Sequence, residues 1–232
     1  MSAPDPSSAK TSTTAERPDR GLWDRLGRQL AHPEGFAGAL VGRLMAHVNR
    51  TPNRLAIEAL QLTHRDDVLE IGFGPGQGLA ALGRRVTMGR IRGLDGSPAM
   101  LRLATRRNAA TVASGRMELI VGDFLRLPWS DASFDGVLAV NVAYFFDREG
   151  VAVSEIHRVL RPGGRAVFYV TDRASMAGWP FAGPETHVTY DAADLRRLLL
   201  AGGFPETLVT LCKVELLMGV KGIVASATRR RS

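Results

Sequence analysis

From Val68 onward the chain alternates short, continuous apolar runs with stretches whose apolar residues recur every three or four positions. The runs at 68–73, 90–94, 117–121, 134–140 and 165–170 are rich in β-branched residues, the pattern of strands covered on both faces. Between them, 77–85, 98–113 and 150–160 carry helical periodicity. This β-α-β-α-β succession predicts an α/β fold, a parallel, doubly wound sheet with helices on both faces. A helix at 192–201 is followed by strand-like runs at 206–214 and 216–227 with no helix between them, so these two must pair antiparallel.

Upstream the texture differs. Leu22, Leu26 and Leu30 recur at helical spacing, and Phe36, Leu40, Leu44 and Val48 do so again after the His32-Pro33 break, which predicts two amphipathic helices. Pro52 in a first turn, with Leu55, Ile57, Ala59, Leu60 and Leu62, predicts a third that ends before Asp66-Asp67. Residues 1–20 are Ser, Thr, Pro and Ala with hardly any large apolar side chain, too little to offset the entropy of ordering. The expected organisation is a disordered tail at 1–20, an N-terminal helical cap at 21–65 and a sheet domain at 66–228.

Composition narrows the class. At 232 residues the chain is one domain with decoration. Its one cysteine, Cys212, forms no internal disulfide, which suits a reducing, cytoplasmic compartment. No apolar stretch reaches the ~18–20 residues that span a bilayer. The net charge of +7 comes from 30 Lys and Arg against 23 Asp and Glu, and three of the cations are the terminal Arg229, Arg230 and Arg231, so the body is only mildly basic. No helix stripe of cations, zinc-finger spacing or aromatic RNA-binding motif accompanies them, and no nucleic-acid partner is expected. No His or Cys cluster has metal spacing, so no metal site is expected either.

The chemistry lies where strands end. The first strand runs into Glu70-Ile71-Gly72-Phe73-Gly74-Pro75-Gly76-Gln77-Gly78, glycines that let the chain turn sharply and bring backbone N–H groups close to a ligand, although a merely tight turn has the same needs. A dinucleotide fingerprint begun at Gly72 and Gly74 would require glycine at Gln77, which argues against a nicotinamide oxidoreductase. The second strand ends at Asp95-Gly96. Ser97-Pro98 supplies its own helix cap, so Asp95 is available to accept both hydroxyls of a ribose. The third ends at Gly122-Asp123-Phe124, where a carboxylate can accept from an adenine amine and the aromatic ring can cover the base.

These segments, with Phe134-Asp135-Gly136-Val137 and Glu155-Ile156-His157-Arg158-Val159-Leu160-Arg161-Pro162-Gly163-Gly164, resemble those of class I S-adenosylmethionine (SAM)-dependent methyltransferases over roughly residues 50–227. The resemblance implies a Rossmann-like seven-stranded sheet in the order 3-2-1-4-5-7-6 with strand seven antiparallel. It places the methionine end of SAM at Glu70 and along Gly72, Phe73, Gly74 and Gly76, the ribose at Asp95-Gly96, and the adenine at Asp123 and Phe124. Asn141 would face the transferable methyl. Relatives that methylate bases or glutamine amides often carry Asn-Pro-Pro-Tyr here, and this chain has Asn141-Val142-Ala143-Tyr144.

On the acceptor side the candidate general bases are His47, Tyr144, His187 and Tyr190. The apolar, irregular segment 174–189 reads as an acceptor lid, with the N-terminal helices as the opposite wall. A small, partly apolar acceptor methylated at O, N or C is the leading expectation. A phospholipid N-methyltransferase making peripheral membrane contact through the 22–30 helix and the Arg229–Arg231 tail is the second. A non-catalytic SAM-binding regulator is the third.

Overall fold

Apolar runs flanked by glycine turns become strands here because helices cover both of their faces. A computed structural model describes residues 50–177, 179, 188–216 and 219–231. The tail, the two amphipathic helices before Arg50, His47 and most of the 174–189 segment, His187 included, lie outside the described residues.

The elements in chain order are α1 (Arg50–Leu60), β1 (Val68–Ile71), α2 (Gln77–Arg85), β2 (Ile91–Asp95), α3 (Pro98–Arg107), α4 (Ala109–Ala113), β3 (Met117–Val121), β4 (Phe134–Val140), α5 (Val151–Val159), β5 (Leu160–Thr171), α6 (Arg173–Met176), α7 (Ala192–Ala201), β6 (Val209–Glu215) and β7 (Lys221–Thr228). Short 3₁₀ turns at Ala143–Phe145 and Glu206–Leu208 complete the path. The sheet order is β3-β2-β1-β4-β5-β7-β6. β1 to β5 run parallel, and β7 is antiparallel to both β5 and β6. This is the doubly wound arrangement expected.

Alternation along the central strands divides the core in two. Leu69 and Ile71 of β1, Val137 and Ala139 of β4, and Phe168 and Val170 of β5 pack with Val153 and Ile156 of α5 and Leu195 and Leu199 of α7. Val68, Leu138, Val140, Val167 and Tyr169 face the other way, onto Ala56 and Leu60 of α1, Leu79 and Leu82 of α2, and Met100 and Ala104 of α3. α1 therefore packs on the sheet itself.

Several elements depart from the expected bounds: β6 begins at Val209 after a 3₁₀ turn, and β7 begins only at Lys221. The helix at 98–113 breaks at Asn108, whose Nδ2 donates to the carbonyls of Ala104 (2.9 Å) and of Gly76 (3.1 Å), 32 residues away. β5 begins at Leu160, directly after α5, and runs through Arg161-Pro162-Gly163-Gly164.

Arginines tie the strand starts together. Arg158 uses its whole fork: Nε and Nη2 donate to Glu155 (2.7 and 2.8 Å), Nη1 to Asp131 and the Trp129 carbonyl (2.8 Å each), and Nη2 to the Leu127 carbonyl (3.0 Å). Arg161 bridges Asp135 (2.5 Å) and Asp67 (2.9 Å), joining β1, β4 and β5 at the edge away from the glycine turn. The Arg158 hydrogen bonds hold the Glu155 carboxyl below the usual carboxylate range.

Arg158→Lys keeps the charge and loses the fork, so it should lower the unfolding free energy by about 1.5–3 kcal/mol at neutral pH in urea titrations. A carboxyl with a depressed pKa contributes stability above its unfolded pKa that disappears as pH falls. The deficit of the variant should therefore shrink as pH falls below the ordinary glutamate value of 4.5 and through the lower value that Glu155 has in the fold. An equal deficit at both ends would show that the Glu155 bond contributes nothing.

Candidate active site

The site is assembled where β1, β2, β3 and β4 end side by side. All four residues of β1 are buried, so the chain can leave only by a sharp turn, and Gly72 takes it at φ +67°. A Cβ on Gly72 would lie 2.5 Å from Val142 Cγ2, so glycine is required by both backbone and space. Gly74, at φ +50°, has nothing within 4 Å of its would-be Cβ, and neither has Gly96: both present bare backbone to open space. Gly76 has a different reason. Its Cβ would strike Ala104 and Asn108, so it lets the turn close against α3. Phe73 is buried in the core, which leaves only its backbone for the site.

Asp95 joins the turns. Its Oδ2 accepts from Gly74 N (2.8 Å) and its Oδ1 from Ser97 N (2.9 Å). The sequence suggested an Asp95 with no local duty; the structure makes it the tie between the β1 and β2 turns. Ser97 is the N-cap as expected, accepting from Met100 N at 3.4 Å.

Glu70 points toward α2. It is 3% exposed, its Oε2 has no hydrogen-bond partner, and a Cβ on Gly78 would fall 2.1 Å from its Oε1. Burial, and secondarily the Asp95 charge, push its carboxyl well above the usual range.

Asp123 is exposed, with Oδ1 accepting from Leu125 N (2.9 Å). The half-buried Phe124 ring lies 4.9 Å from Phe146 at 47°. Asn141 sits at φ +54°, and its backbone N–H donates to the Tyr169 carbonyl at 2.8 Å.

Tyr144 and Tyr190 were candidate bases, and both are built into the wall. The Tyr144 hydroxyl donates to Asn141 Oδ1 (2.8 Å) and accepts from Thr171 N (2.6 Å), and burial holds the phenol far above its ordinary range. Tyr190, 4% exposed, donates to the Ala143 carbonyl at 3.0 Å, and burial pushes it up to about 12. Both hydroxyls are thus engaged within the fold. Around them Phe124, Phe145, Trp179 and Val188 are partly buried against the core, an apolar side to the same edge. Sequence reasoning missed Val142, which shapes the turn, and Thr171, whose N–H anchors Tyr144; neither residue type carries a signal.

The tail proposed for membrane contact is partly tied down. Arg229 Nη1 donates to the carbonyls of Leu160 (2.6 Å), Arg158 (2.8 Å) and His157 (3.2 Å). Among the described residues no helix is long and apolar enough to cross a membrane.

Glu70→Gln keeps the shape and removes the ionisable group. An unfolded chain ionises Glu70 above its ordinary value of 4.5, while the folded chain holds the proton, so wild-type stability should fall relative to the variant as pH rises through and above that value. Thermal melts without ligand from about pH 4 to about pH 8 should show the two proteins diverging. Parallel curves would show that Glu70 ionises in the fold without cost.

A family model described as a methyltransferase domain matches residues 69–168. The chain is 33% identical over 138 residues to the "Uncharacterized methyltransferase YdaC" of Bacillus subtilis, covering 60% of this chain and 74% of that one. It is 40% identical over 112 residues to the demethylmenaquinone methyltransferase of Deinococcus radiodurans, covering 48% of this chain and less than half, 45%, of that relative's length. Among solved structures, a chain from the complex between the Haloferax volcanii Trm112 methyltransferase activator and a methyltransferase superposes with a TM-score of 0.70 at 21% identity, over 84% of this chain and 96% of that one. That likeness carries the fold alone. With the relatives' sequences and the strand order, it is decided that the chain belongs to the class I SAM-dependent methyltransferases.

Proposed function

We propose that this methyltransferase binds SAM along the C-terminal ends of β1 to β4 and transfers its methyl group to an O, N or C atom of a small, partly apolar acceptor. The observation that carries the reading is the juxtaposition of bare backbone at Gly74 with the Asp95 carboxylate, 2.8 Å from Gly74 N. This arrangement fits a ribose whose hydroxyls donate to Asp95 while the rest of the nucleoside lies over glycine backbone that no side chain covers. The orphaned Glu70 Oε2 beneath the same turn supports it, being an acceptor or acid that the protein alone leaves unpaired.

SAM, when bound, supplies a methyl group on a sulfonium, electrophilic enough to need no metal and no covalent enzyme intermediate. The chain's own residues then have three tasks. Gly72, Gly74 and Glu70 hold the methionine end, Asp95 and Gly96 hold the ribose, and Asp123 and Phe124 hold the adenine. Asn141, pinned at positive φ by its bond to Tyr169 and by the Tyr144 hydroxyl, fixes the strand-four corner against which the acceptor aligns. Phe124, Phe145, Trp179 and Val188 supply the apolar surface that keeps water from the transfer line. The name of the Deinococcus relative, a demethylmenaquinone methyltransferase, favours an acceptor with apolar bulk. His47 and His187 remain the proposed bases, and the reaction needs one only if the acceptor atom carries a proton at the moment of attack.

The reading is tested by incubating the protein with methyl-labelled SAM and a panel of quinones, fatty acids and aromatic alcohols, with label in an organic-extractable product as the expected result. Calorimetry should show binding of SAM and of its demethylated product and none of NAD. Tight NAD binding without SAM binding would sink the proposal.

Asp95→Ala should weaken SAM binding about 10–150-fold, the scale of hydrogen bonds to a charged group. An unchanged Kd in a folded variant would confine Asp95 to tying the turns. Tyr144→Phe should lower kcat while leaving the pH profile of kcat in place, because the hydroxyl positions Asn141 and moves no proton. Loss of one limb of that profile would instead make Tyr144 the base.

A further inference from the structure

Most arginines of known partnership in this fold meet a carboxylate. Arg92 pairs with Glu118 at 2.9 Å, Arg158 with Glu155 and Asp131, Arg161 with Asp67 and Asp135, and Arg173 and Arg197 with Asp194. One place breaks the habit. Between α1, α2 and the end of α3 runs a groove of about 790 Å³ lined by Arg50, Arg54, Arg84, Arg85 and Arg107, with Glu58 as its one carboxylate among the described residues. Glu58 is taken by Arg54 at 3.3 Å, and Arg85 Nε donates to the Leu62 carbonyl. Among the described residues no carboxylate pairs with Arg50, Arg84 or Arg107.

Helix dipoles account for part of this and not for the rest. Arg84 and Arg85 end α2 and Arg107 ends α3, where cations complement the negative end of a helix. Arg50 and Arg54 lie on α1, away from any of these C-terminal helix ends. Five guanidinium groups from three helices thus face one concavity. Their mutual repulsion is relieved by an anion between them. The planar fork of arginine suits a phosphate, and a concave surface of one sign focuses the field on such a ligand. Along the same groove Ile57 and the Ala80-Ala81 pair offer apolar surface for an organic arm. Among the described residues the groove lining contains no aromatic ring on which a nucleic-acid base could stack.

We infer that the α1–α2 groove is a second binding site, separate from the donor site, that takes a phosphate group carried on an organic molecule. A phospholipid headgroup and a free phosphorylated compound share this chemistry, and two probes separate them. The full chain is sedimented with phosphatidylcholine vesicles with and without phosphatidylglycerol, and it is titrated with inorganic pyrophosphate by calorimetry. Association only with the phosphatidylglycerol vesicles supports the site with a lipid as source. Pyrophosphate heat without sedimentation supports it with a soluble ligand.

In either case Arg54→Gln combined with Arg84→Gln should weaken the association at least about tenfold, at roughly fivefold per cation removed. Lys213→Gln, exposed on the edge strand β6, should change it by less than about twofold, since one isolated surface charge contributes little. SAM affinity should be unchanged in the double variant. Failure of the wild type to bind either probe, or wild-type binding by the double variant, overturns the proposal. Loss of SAM affinity in the folded double variant also overturns it, by assigning the arginines to the donor site, as does displacement of both probes by a short duplex oligonucleotide.

Discussion

The ligand edge of this sheet depends on how closely two turns pass each other. Gly72 leaves β1 and Val142 follows the end of β4, and no Cβ fits between them. That contact fixes where the glycine turn lies, and so where the Gly74 N–H meets the Asp95 carboxylate. Because β1 and β4 are paired in register from Val68 and Gly136 onward, a shift of either turn would have to break the centre of the sheet. The site inherits its rigidity from the two most buried strands, which is the economical place to build a reaction that depends on alignment.

Two glutamates show how position within one fold sets the state of a side chain. Glu155 lies on α5 near the strand starts, held by the Arg158 fork and by the Leu127 N–H at 2.9 Å, and its carboxyl is depressed. Glu70 lies at the opposite edge, with no cation paired to it among the described residues, and burial raises its carboxyl. The first stabilises the fold as a charge. The second is disfavoured as one by its burial.

Strands and helices were legible because burial on both faces leaves continuous apolar runs, and α2 falls at the residues the periodicity marks. What could not be read depended on partners far away in the chain. Asn108 breaks a helix by bonding Gly76, and nothing local distinguishes it from an asparagine on a helix surface. The Arg-Pro-Gly-Gly stretch looked like a turn before a strand, yet it lies within β5 because Arg161 is drawn to Asp67 and Asp135. At the site, residue type marked the acidic, glycine and tyrosine positions, but nothing in the sequence marked Asn141, Thr171 and Ala143 as the partners that hold the two tyrosine hydroxyls.

Those partners bear on the reaction itself. The Tyr144 hydroxyl is engaged by Asn141 and Thr171 and the Tyr190 hydroxyl by Ala143, and burial keeps both phenols protonated. Ionising either would bury a charge and break a bond that holds the strand-four corner, which costs far more than a proton transfer returns. Both hydroxyls therefore hold this corner in shape. The Val188 N–H donates to the Tyr144 carbonyl and the Tyr190 hydroxyl to that of Ala143, so the segment before α7 is stitched onto the corner that carries Asn141. A change at Val188 or Tyr190 therefore reaches the strand-four corner through these two bonds, which makes the two stretches one mechanical unit.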